Sequence, residues 1–329
     1  MAYTTIDDPE AYFQVELYTG TGSALSTTFD GDTDMQPDLV WIKNRSATQS
    51  HILVDAVRGA NKYLGSNHTG AEGTDIDSVT AFGSDGFTVG DDASVSGSGN
   101  SMVAWCWKES ATAGFDIVSY TGTGSAHTES HSLSAVPKMI LFKNRATTAN
   151  WKVFHAGIGA TKWLKFDTTD AAGTSSGNFN DTEPTSSVFT VGTDAGTNGN
   201  TNLTIAYAFA EKQGFSKFGS YTGNGNADGA FIYTGFRPAW IVVKRTDSAN
   251  SWMIYDAKRN PINLADNPLY AESNIAEGTS SAASFDFLSN GFKCRGTGSS
   301  MNASGATHIY MAFAEAPFVN SNGVPCNAR

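Results

Sequence analysis

The residues that could do chemistry are few, and most of them are carboxylates. Asp30, Asp32 and Asp34 alternate along one stretch, and a calcium loop uses oxygen ligands at positions one, three and five. The sixth position, however, is Met35 where such a loop has Gly, and Trp41 stands where the bidentate Glu should be. The pattern therefore favours a solvated turn, and the three aspartates are weak candidates for a metal site.

A second set of carboxylates raises the question of glycoside hydrolysis, which needs two of them facing one cleft, roughly 5 to 9 Å apart. Asp75 and Asp77 are spaced to share a strand face, and Glu109, Glu211 and Glu315 each end a predicted core strand. The aspartate pair has no counterpart elsewhere in the chain, whereas the glutamate recurs three times. That recurrence suits a structural role better than a single active site, so we predict no catalytic residues and a chain that is not an enzyme.

Metal and cofactor motifs are equally sparse. The six histidines are scattered, with His127 and His131 in one loop, and the chain has no Cys-x-x-Cys or His-Glu-x-x-His motif. The stretch from Gly157 to Lys162 is similar to part of a phosphate loop but lacks its Gly-Lys-Ser/Thr spacing. We therefore predict neither a transition-metal site nor a bound cofactor.

The recurrent glutamates belong to a stretch that occurs three times, at 103–109, 205–211 and 309–315. In each copy large side chains alternate with mostly small ones, and a period of two predicts a strand. The bulky face is expected to fill a core, while the face of Ala and Cys lets another layer approach closely. This alternation is typical of a central strand of a β-sandwich.

Other motifs return in the same order at the same period. Tyr-Thr-Gly-x-Gly begins at Tyr18, Tyr120 and Tyr221, and each Pro-led apolar strand ends in Lys-Asn-Arg or Lys-Arg. A repeat of about 100 residues is too long for a solenoid and matches a whole sandwich domain. The short linkers between repeats predict modules packed at fixed angles.

The sequence thus predicts an all-β chain of three tandem antiparallel β-sandwich modules, each of about 100 residues. In the first two modules a hairpin is expected across a turn at Gly59 or Gly157, and in the third module the equivalent hairpin is expected to be longer or rebuilt. The terminal segments are expected to lie outside the predicted core strands and to need a partner surface. The predicted boundaries are an N-terminal arm 1–11, modules 12–110, 111–212 and 213–317, and a C-terminal tail 318–329.

Composition narrows the class of protein. Charged residues make up 16% of the chain, and the net charge of −11 argues against a nucleic-acid partner. The N-terminus has neither the basic nor the apolar part of a secretory signal, and no apolar run is long enough to span a bilayer. We therefore expect a soluble product made in a cytosol, without membrane insertion and without a disulfide framework from its three cysteines.

The repeated Tyr-Thr-Gly-Thr-Gly, the strand around Lys143, and the stretch from Trp151 to Trp163 resemble virion proteins of tailed bacteriophages, many of them marine. The opening Met-Ala-Tyr-Thr-Thr-Ile-Asp-Asp-Pro and the closing Ala-Phe-Ala-Glu-Ala-Pro-Phe-Val-Asn-Ser-Asn-Gly-Val-Pro are also similar, so the resemblance covers essentially the whole chain. It implies tail-fibre-like modules with a jelly-roll or concanavalin-like sandwich fold. It supplies no catalytic or ligand-binding residues to carry over.

Three functions stay open at this point. The chain could be a tail fibre or receptor-binding protein that contacts host surface glycan, a capsid decoration or head-fibre protein, or a polysaccharide-cleaving tail enzyme. The first is favoured and the third disfavoured. In each case the expected location is the virion, assembled in the host cytoplasm. The expected partners are other virion proteins and further copies of the chain, with a homotrimer favoured because identical contacts close a ring.

Overall fold

Each repeat folds into a pair of facing antiparallel sheets, so the prediction of an all-β sandwich protein is confirmed. The structure is a computed structural model that describes residues 2–326. Met1 of the predicted arm and the last three residues of the predicted tail lie outside that range. Below, modules 1, 2 and 3 denote residues 12–110, 111–212 and 213–317.

The strands and one-turn helices follow a common order, except that module 2 has a second one-turn helix in place of a strand and module 3 has one strand fewer than module 1. Module 1 contains β1 (Phe13–Thr19), β2 (Leu25–Thr27), β3 (Leu39–Asn44), β4 (Ile52–Asp55), β5 (Lys62–Tyr63), β6 (Gly73–Thr74), β7 (Val79–Gly83), β8 (Gly86–Val89), α1 (Ala93–Ser96) and β9 (Ser101–Trp107). Module 2 contains β10 (Phe115–Thr121), β11 (His127–Ser130), β12 (Pro137–Asn144), β13 (Lys152–His155), β14 (Lys162–Lys165), β15 (Gly173–Thr174), α2 (Ser176–Phe179), β16 (Val188–Val191), α3 (Ala195–Asn198) and β17 (Leu203–Ala210). Module 3 contains β18 (Ser216–Thr222), β19 (Phe231–Tyr233), β20 (Phe236–Arg245), β21 (Trp252–Asp256), β22 (Leu269–Tyr270), β23 (Phe285–Leu288), β24 (Gly291–Cys294), α4 (Ser299–Asn302) and β25 (Thr307–Pro317).

The alternating strand is central in the large sheet of every module, as predicted. The strand orders are β1-β9-β3-β4, β10-β17-β12-β13-β14-β15 and β18-β25-β20-β21-β22. The smaller sheets that face them are β2-β8-β7, β11-β16 and β19-β24-β23, and β5 and β6 form a separate two-stranded sheet in module 1. The predicted hairpin is present in module 1, where Leu53 and Leu64 form an antiparallel bridge, and in module 2, where β13 pairs with β14. Module 3 replaces it with a longer connection to β22.

The two faces of the large sheets bury different cores. The small faces pack against the module's own small sheet, so that Ala104 and Cys106, for example, share a cluster with Phe87 and Val89. The bulky faces of all three large sheets meet one another in a single shared cluster. Its members from the three central strands are Val103, Trp105, Trp107, Ile205, Tyr207, Phe209, Ile309, Met311 and Phe313.

The shared cluster makes the chain a closed ring of three modules around an aromatic centre. Rings from different modules are in contact: Trp107 lies 5.6 Å from Trp240 and 6.3 Å from Phe209, and Phe13 stacks on Phe313 at 5.0 Å between centroids. Such aromatic pairs add about 0.5–1.5 kcal/mol each beyond their burial. The modules are therefore held together by a hydrophobic core and not by linkers alone.

The repeated Tyr-Thr-Gly-x-Gly has a specific packing reason. The Tyr18 hydroxyl donates to the Val95 carbonyl at 2.7 Å, which holds α1 against the large sheet. A Cβ on Gly20 would lie 2.3 Å from the Gly97 carbonyl oxygen, and Gly22 has a φ of +69°. The first glycine therefore allows close approach and the second a left-handed turn. The same contacts recur at Tyr120, Gly122 and Gly124 and at Tyr221, Gly223 and Gly225.

Each contact between neighbouring modules includes a buried lysine. The Nζ of Lys143 in module 2 donates to the Thr69 carbonyl of module 1 at 2.9 Å and to the Ala149 carbonyl at 2.5 Å. Lys244 donates to the Thr169 carbonyl at 3.0 Å, and Lys43 closes the ring by donating to the Asn274 carbonyl at 3.2 Å. Burial lowers the pKa of all three lysines to about 8. The recurrent Lys that ends each Pro-led strand thus joins one module to the next.

An ion-pair network reinforces the junction between modules 1 and 2. Arg58 pairs with the Asp55 carboxylate, and Glu72 accepts from Arg145 at 2.7 Å and from Arg58 at 3.5 Å. Asp55 also accepts from the Tyr207 hydroxyl at 2.6 Å. The junction between modules 3 and 1 repeats this network with Asp256, Arg259, Glu277, Arg45 and Trp105.

The junction between modules 2 and 3 lacks that network because every member is replaced. The equivalent positions hold His155, Ile158, Ala172, Thr246 and Met311. Here the Nε2 of His155 lies 3.1 Å from the Tyr310 carbonyl oxygen, and the Ala172 amide donates to the Thr246 carbonyl at 2.8 Å. The charged partners are thus present together or absent together.

The N-terminal arm lies outside the core strands, as expected, but it contributes a residue to the central core. Ile6 is 2% exposed and is a member of the shared central cluster. Thr4 donates to the Gln213 carbonyl at 2.8 Å, and a 3₁₀ turn, Pro9–Ala11, leads into β1. The tail meets the arm, since Asp7 accepts from the Ser321 amide at 2.7 Å. The composition of the arm did not predict this packing, because a single buried Ile is enough to anchor a short polar segment.

Across residues 2–326, none of the helices is long and apolar enough to span a bilayer.

Candidate functional site

A cavity of about 310 Å³ opens at the junction where module 3 meets module 1. Its walls come from the start of β1, from β20 and β25, and from the turn that follows β21. Apolar atoms of Val15, Ala239 and Ala257 line part of it, and its polar groups are Glu10, Gln14, Arg237, Lys258 and Glu315. This volume falls in the range of small-ligand sites, about 300–1,000 Å³, and such sites likewise combine apolar walls with a few polar groups.

Gln14 is the polar residue of this cavity that the fold itself does not satisfy. Gln14 is only 3% exposed, and its Nε2 has no hydrogen-bond partner within residues 2–326. Leaving a buried donor unpaired costs about 1–3 kcal/mol. The equivalent residues in the other modules, Asp116 and Lys217, do have partners: Asp116 accepts from the Ser132 amide at 2.5 Å, and Lys217 donates to Glu211 at 2.6 Å.

The recurrent glutamates show how this junction departs from the other two. Glu109 accepts from the Ile117 amide of β10 at 3.1 Å, and Glu211 accepts from the Phe218 amide of β18 at 3.4 Å. Each carboxylate therefore seals the edge of the next module's first strand. Glu315 instead accepts from Arg237 at 2.5 Å, and the cavity lies beside this pair.

Both cations of the cavity are already paired. Arg237 binds Glu315, and Lys258 of module 3 forms an ion pair with Asp30 of module 1. The Glu10 carboxylate is different, since it accepts from a backbone amide, that of Asp32, at 3.4 Å. Burial raises the pKa of Glu10, with the neighbouring Asp8 and Asp30 adding to the shift. Glu10 and Gln14 are therefore the polar side chains of the cavity that take part in no ion pair among the described residues.

Gly31 packs closely on both of these groups. A Cβ added to Gly31 would lie 2.8 Å from the Gln14 Nε2 and 3.0 Å from a Glu10 carboxylate oxygen. The loop from Asp30 to Asp34 thus lies over the junction, with its glycine packed on the two polar groups.

The cavity continues into an open groove of about 550 Å³, which shares Arg237 and Pro261 with it. Asn263, Leu288 and Asn290 line this groove. The longer connection that replaces the hairpin in module 3 therefore forms one wall of both spaces.

The three aspartates proposed as weak metal ligands do not come together as a metal site. In the part of the chain that the structure describes, no three His, Cys, Asp or Glu side chains group as a cation would need. Asp30 is bound to Lys258, and Asp32 offers its amide to Glu10. What the sequence suggested as a cation loop thus contributes to the cavity through a lysine and a glycine.

The other carboxylates considered for catalysis are spread over the molecule. Asp75 accepts from the Asp77 amide at 2.9 Å, which makes the pair a local turn. Glu109, Glu211 and Glu315 lie at three different junctions. Sequence reasoning missed Glu10 and Gln14, although a signal existed: Gln14 differs in type from both of its counterparts, Asp116 and Lys217.

Comparison with known proteins identifies the family. The sequence model of a family described as a domain of unknown function (DUF7483) matches residues 8–317, and the chain belongs to this family. No curated protein matches the chain significantly.

Proposed function

We propose that this member of the DUF7483 family is a non-enzymatic structural protein of a bacteriophage virion, namely a tail fibre or receptor-binding component that contacts host surface glycan. Its resemblance to virion proteins of tailed phages motivates the proposal. The observation that carries it is the closed ring, which uses the apolar faces of all three large sheets internally. The loops of the modules and the cavity between modules 3 and 1 lie on the outer surface, and loops positioned by a rigid scaffold commonly carry binding residues.

Rigidity is what a particle component of this kind needs. Because Lys43, Lys143 and Lys244 each join one module to the next, the loops of all three modules keep fixed relative positions. A receptor contacted by several loops at once then binds without the entropy cost of ordering them. Association into a homotrimer stays a prediction, as does contact with other virion proteins.

Immunogold labelling of purified phage tests the location. An antibody against the recombinant chain should decorate the tail, with a small number of copies per particle by quantitative mass spectrometry. Decoration of the head, with a copy number that scales with the capsid, would favour the alternative of a capsid decoration or head-fibre protein. Absence of the chain from purified particles would refute both.

A polysaccharide-cleaving tail enzyme is the third function, and one observation bears on it: Glu10 and Glu315 line the same cavity. We propose that they do not catalyse hydrolysis, because Arg237 holds the Glu315 carboxylate and the counterparts Glu109 and Glu211 accept backbone amides in structural positions. Purified protein should release no reducing sugar from host polysaccharide. Release that disappears in both Glu10→Gln and Glu315→Gln would contradict this.

A further inference from the structure

We propose that the cavity between modules 3 and 1 binds one ring of an uncharged saccharide, with the Gln14 amide and the Glu10 carboxylate as its hydrogen-bonding pair and the adjoining groove holding the next ring. The inference deepens the proposed function, on which the source of the saccharide rests, by naming a site and a ligand class.

The first argument is the free-energy cost of burying the Gln14 amide without a hydrogen-bond partner. A buried amide donor with no partner among residues 2–326 destabilises the fold, whereas Met of similar size would pack there without that cost. The counterparts Asp116 and Lys217 avoid the cost through Ser132 and Glu211. An unsatisfied donor in the wall of a cavity is explained if a ligand supplies the missing acceptor.

The second argument is charge. Arg237 and Lys258 each already hold a carboxylate, from Glu315 and Asp30. The carboxylates of Glu10, Glu315 and Asp30 outnumber these two cations, so an anionic ligand would meet an excess of negative charge. The remaining groups are one acceptor and one donor, and a sugar hydroxyl both donates and accepts. The cavity therefore matches a neutral polyhydroxylated ligand better than an acidic one.

The third argument is shape. The cavity of about 310 Å³ has apolar walls at Val15, Ala239 and Ala257, which suit the C–H faces of a pyranose ring. The groove that shares Arg237 and Pro261 gives a connected second ring an exit toward solvent. A chain of linked rings, entering with its terminal ring, fits this pair of spaces.

The probes are four neutral disaccharides, namely cellobiose, lactose, maltose and N,N′-diacetylchitobiose, each tested with the full chain by saturation-transfer difference NMR. Chitobiose with free amines and digalacturonic acid serve as the cationic and anionic comparisons. We expect at least one neutral disaccharide to bind and neither charged one to bind more tightly. Failure of all four neutral probes, or tighter binding of a charged one, would overturn the proposal.

Two variants locate the site. Gln14→Met removes the unpaired donor, and Gly31→Ala places a Cβ against both Gln14 and Glu10. Each should weaken binding at least tenfold, while Gln14→Met leaves the melting temperature unchanged or raises it. Lys217→Met, at the equivalent register position of β18, is the matched control and should bind as the unaltered chain does.

Binding that survives both Gln14→Met and Gly31→Ala would overturn the assignment to this cavity. The binding experiments and the test of the proposed function are independent, because immunogold labelling reports where the protein is on the particle whether or not a disaccharide binds.

Discussion

At the scale of single residues, the three repeats serve as controls for one another. Asp55, Arg58, Glu72, Arg145 and Tyr207 form one connected set, and the corresponding positions of the junction between modules 2 and 3 have lost all of its members. Buried charges behave this way because removing one partner leaves another uncompensated, whereas replacing the whole set can be nearly neutral.

This interpretation predicts non-additive stabilities. Arg58→Ile alone leaves Asp55 buried without its cation, and it should lower the free energy of unfolding by about 3–5 kcal/mol. Transplanting the whole set from the junction between modules 2 and 3, by Asp55→His, Arg58→Ile, Glu72→Ala, Arg145→Thr and Tyr207→Met, should recover most of that loss. Urea unfolding measures both variants. If the fivefold variant is no more stable than Arg58→Ile, the five residues do not act as a set.

A pH dependence follows from Glu16. Burial raises the pKa of Glu16 to about 7 from the usual 4.5, so the folded chain binds this proton more tightly than the unfolded chain does. Its contribution is complete below pH 4.5 and is lost as the pH rises to 7. Between pH 4.5 and 7.5 the unaltered chain should therefore lose stability relative to Glu16→Gln. An equal difference between the two proteins at both pH values would contradict the raised pKa.

At the scale of elements, much of the fold could be predicted and the arrangement of its faces could not. The alternation in 205–211 correctly predicts a central strand with a bulky and a small face. It does not tell which core each face fills, because a period of two is the same whether a face is covered by its own module or by another. The shared aromatic cluster therefore became visible only in three dimensions.

The N-terminal arm gives a test at this scale. Ile6→Ala should lower the free energy of unfolding by about 2–5 kcal/mol, because Ile6 is 2% exposed in the central cluster. Ile76→Ala is the matched control: Ile76 is 71% exposed, and such surface changes stay within about 0.5 kcal/mol. Thermal unfolding of the two variants decides the point. Equal stability of the two variants would contradict the claim that Ile6 anchors the arm in the central cluster.

At the scale of the whole molecule, the candidate site arises where the ring departs from its own threefold pattern. Two junctions seal the edge of the next strand with Glu109 and Glu211, and the third turns Glu315 to Arg237 beside an open cavity. Sequence could reveal the repeats but not this cavity, because it depends on modules 1 and 3 meeting although they are far apart in the chain. The candidate site therefore exists only if modules 3 and 1 meet and close the ring.

Closure of that ring within one chain is the central claim, and a zero-length carbodiimide cross-link tests it most directly. Lys258 of module 3 contacts Asp30 of module 1, so coupling should yield an amide between them in protein isolated as a monomer after the reaction. The pair Lys293 and Asp228, 2.5 Å apart within module 3, controls for reactivity. Recovery of both linked peptides from the monomer is the predicted result. Recovery of the Lys293–Asp228 peptide with the Asp30–Lys258 peptide absent, or present only in covalent dimers, would contradict the closed ring.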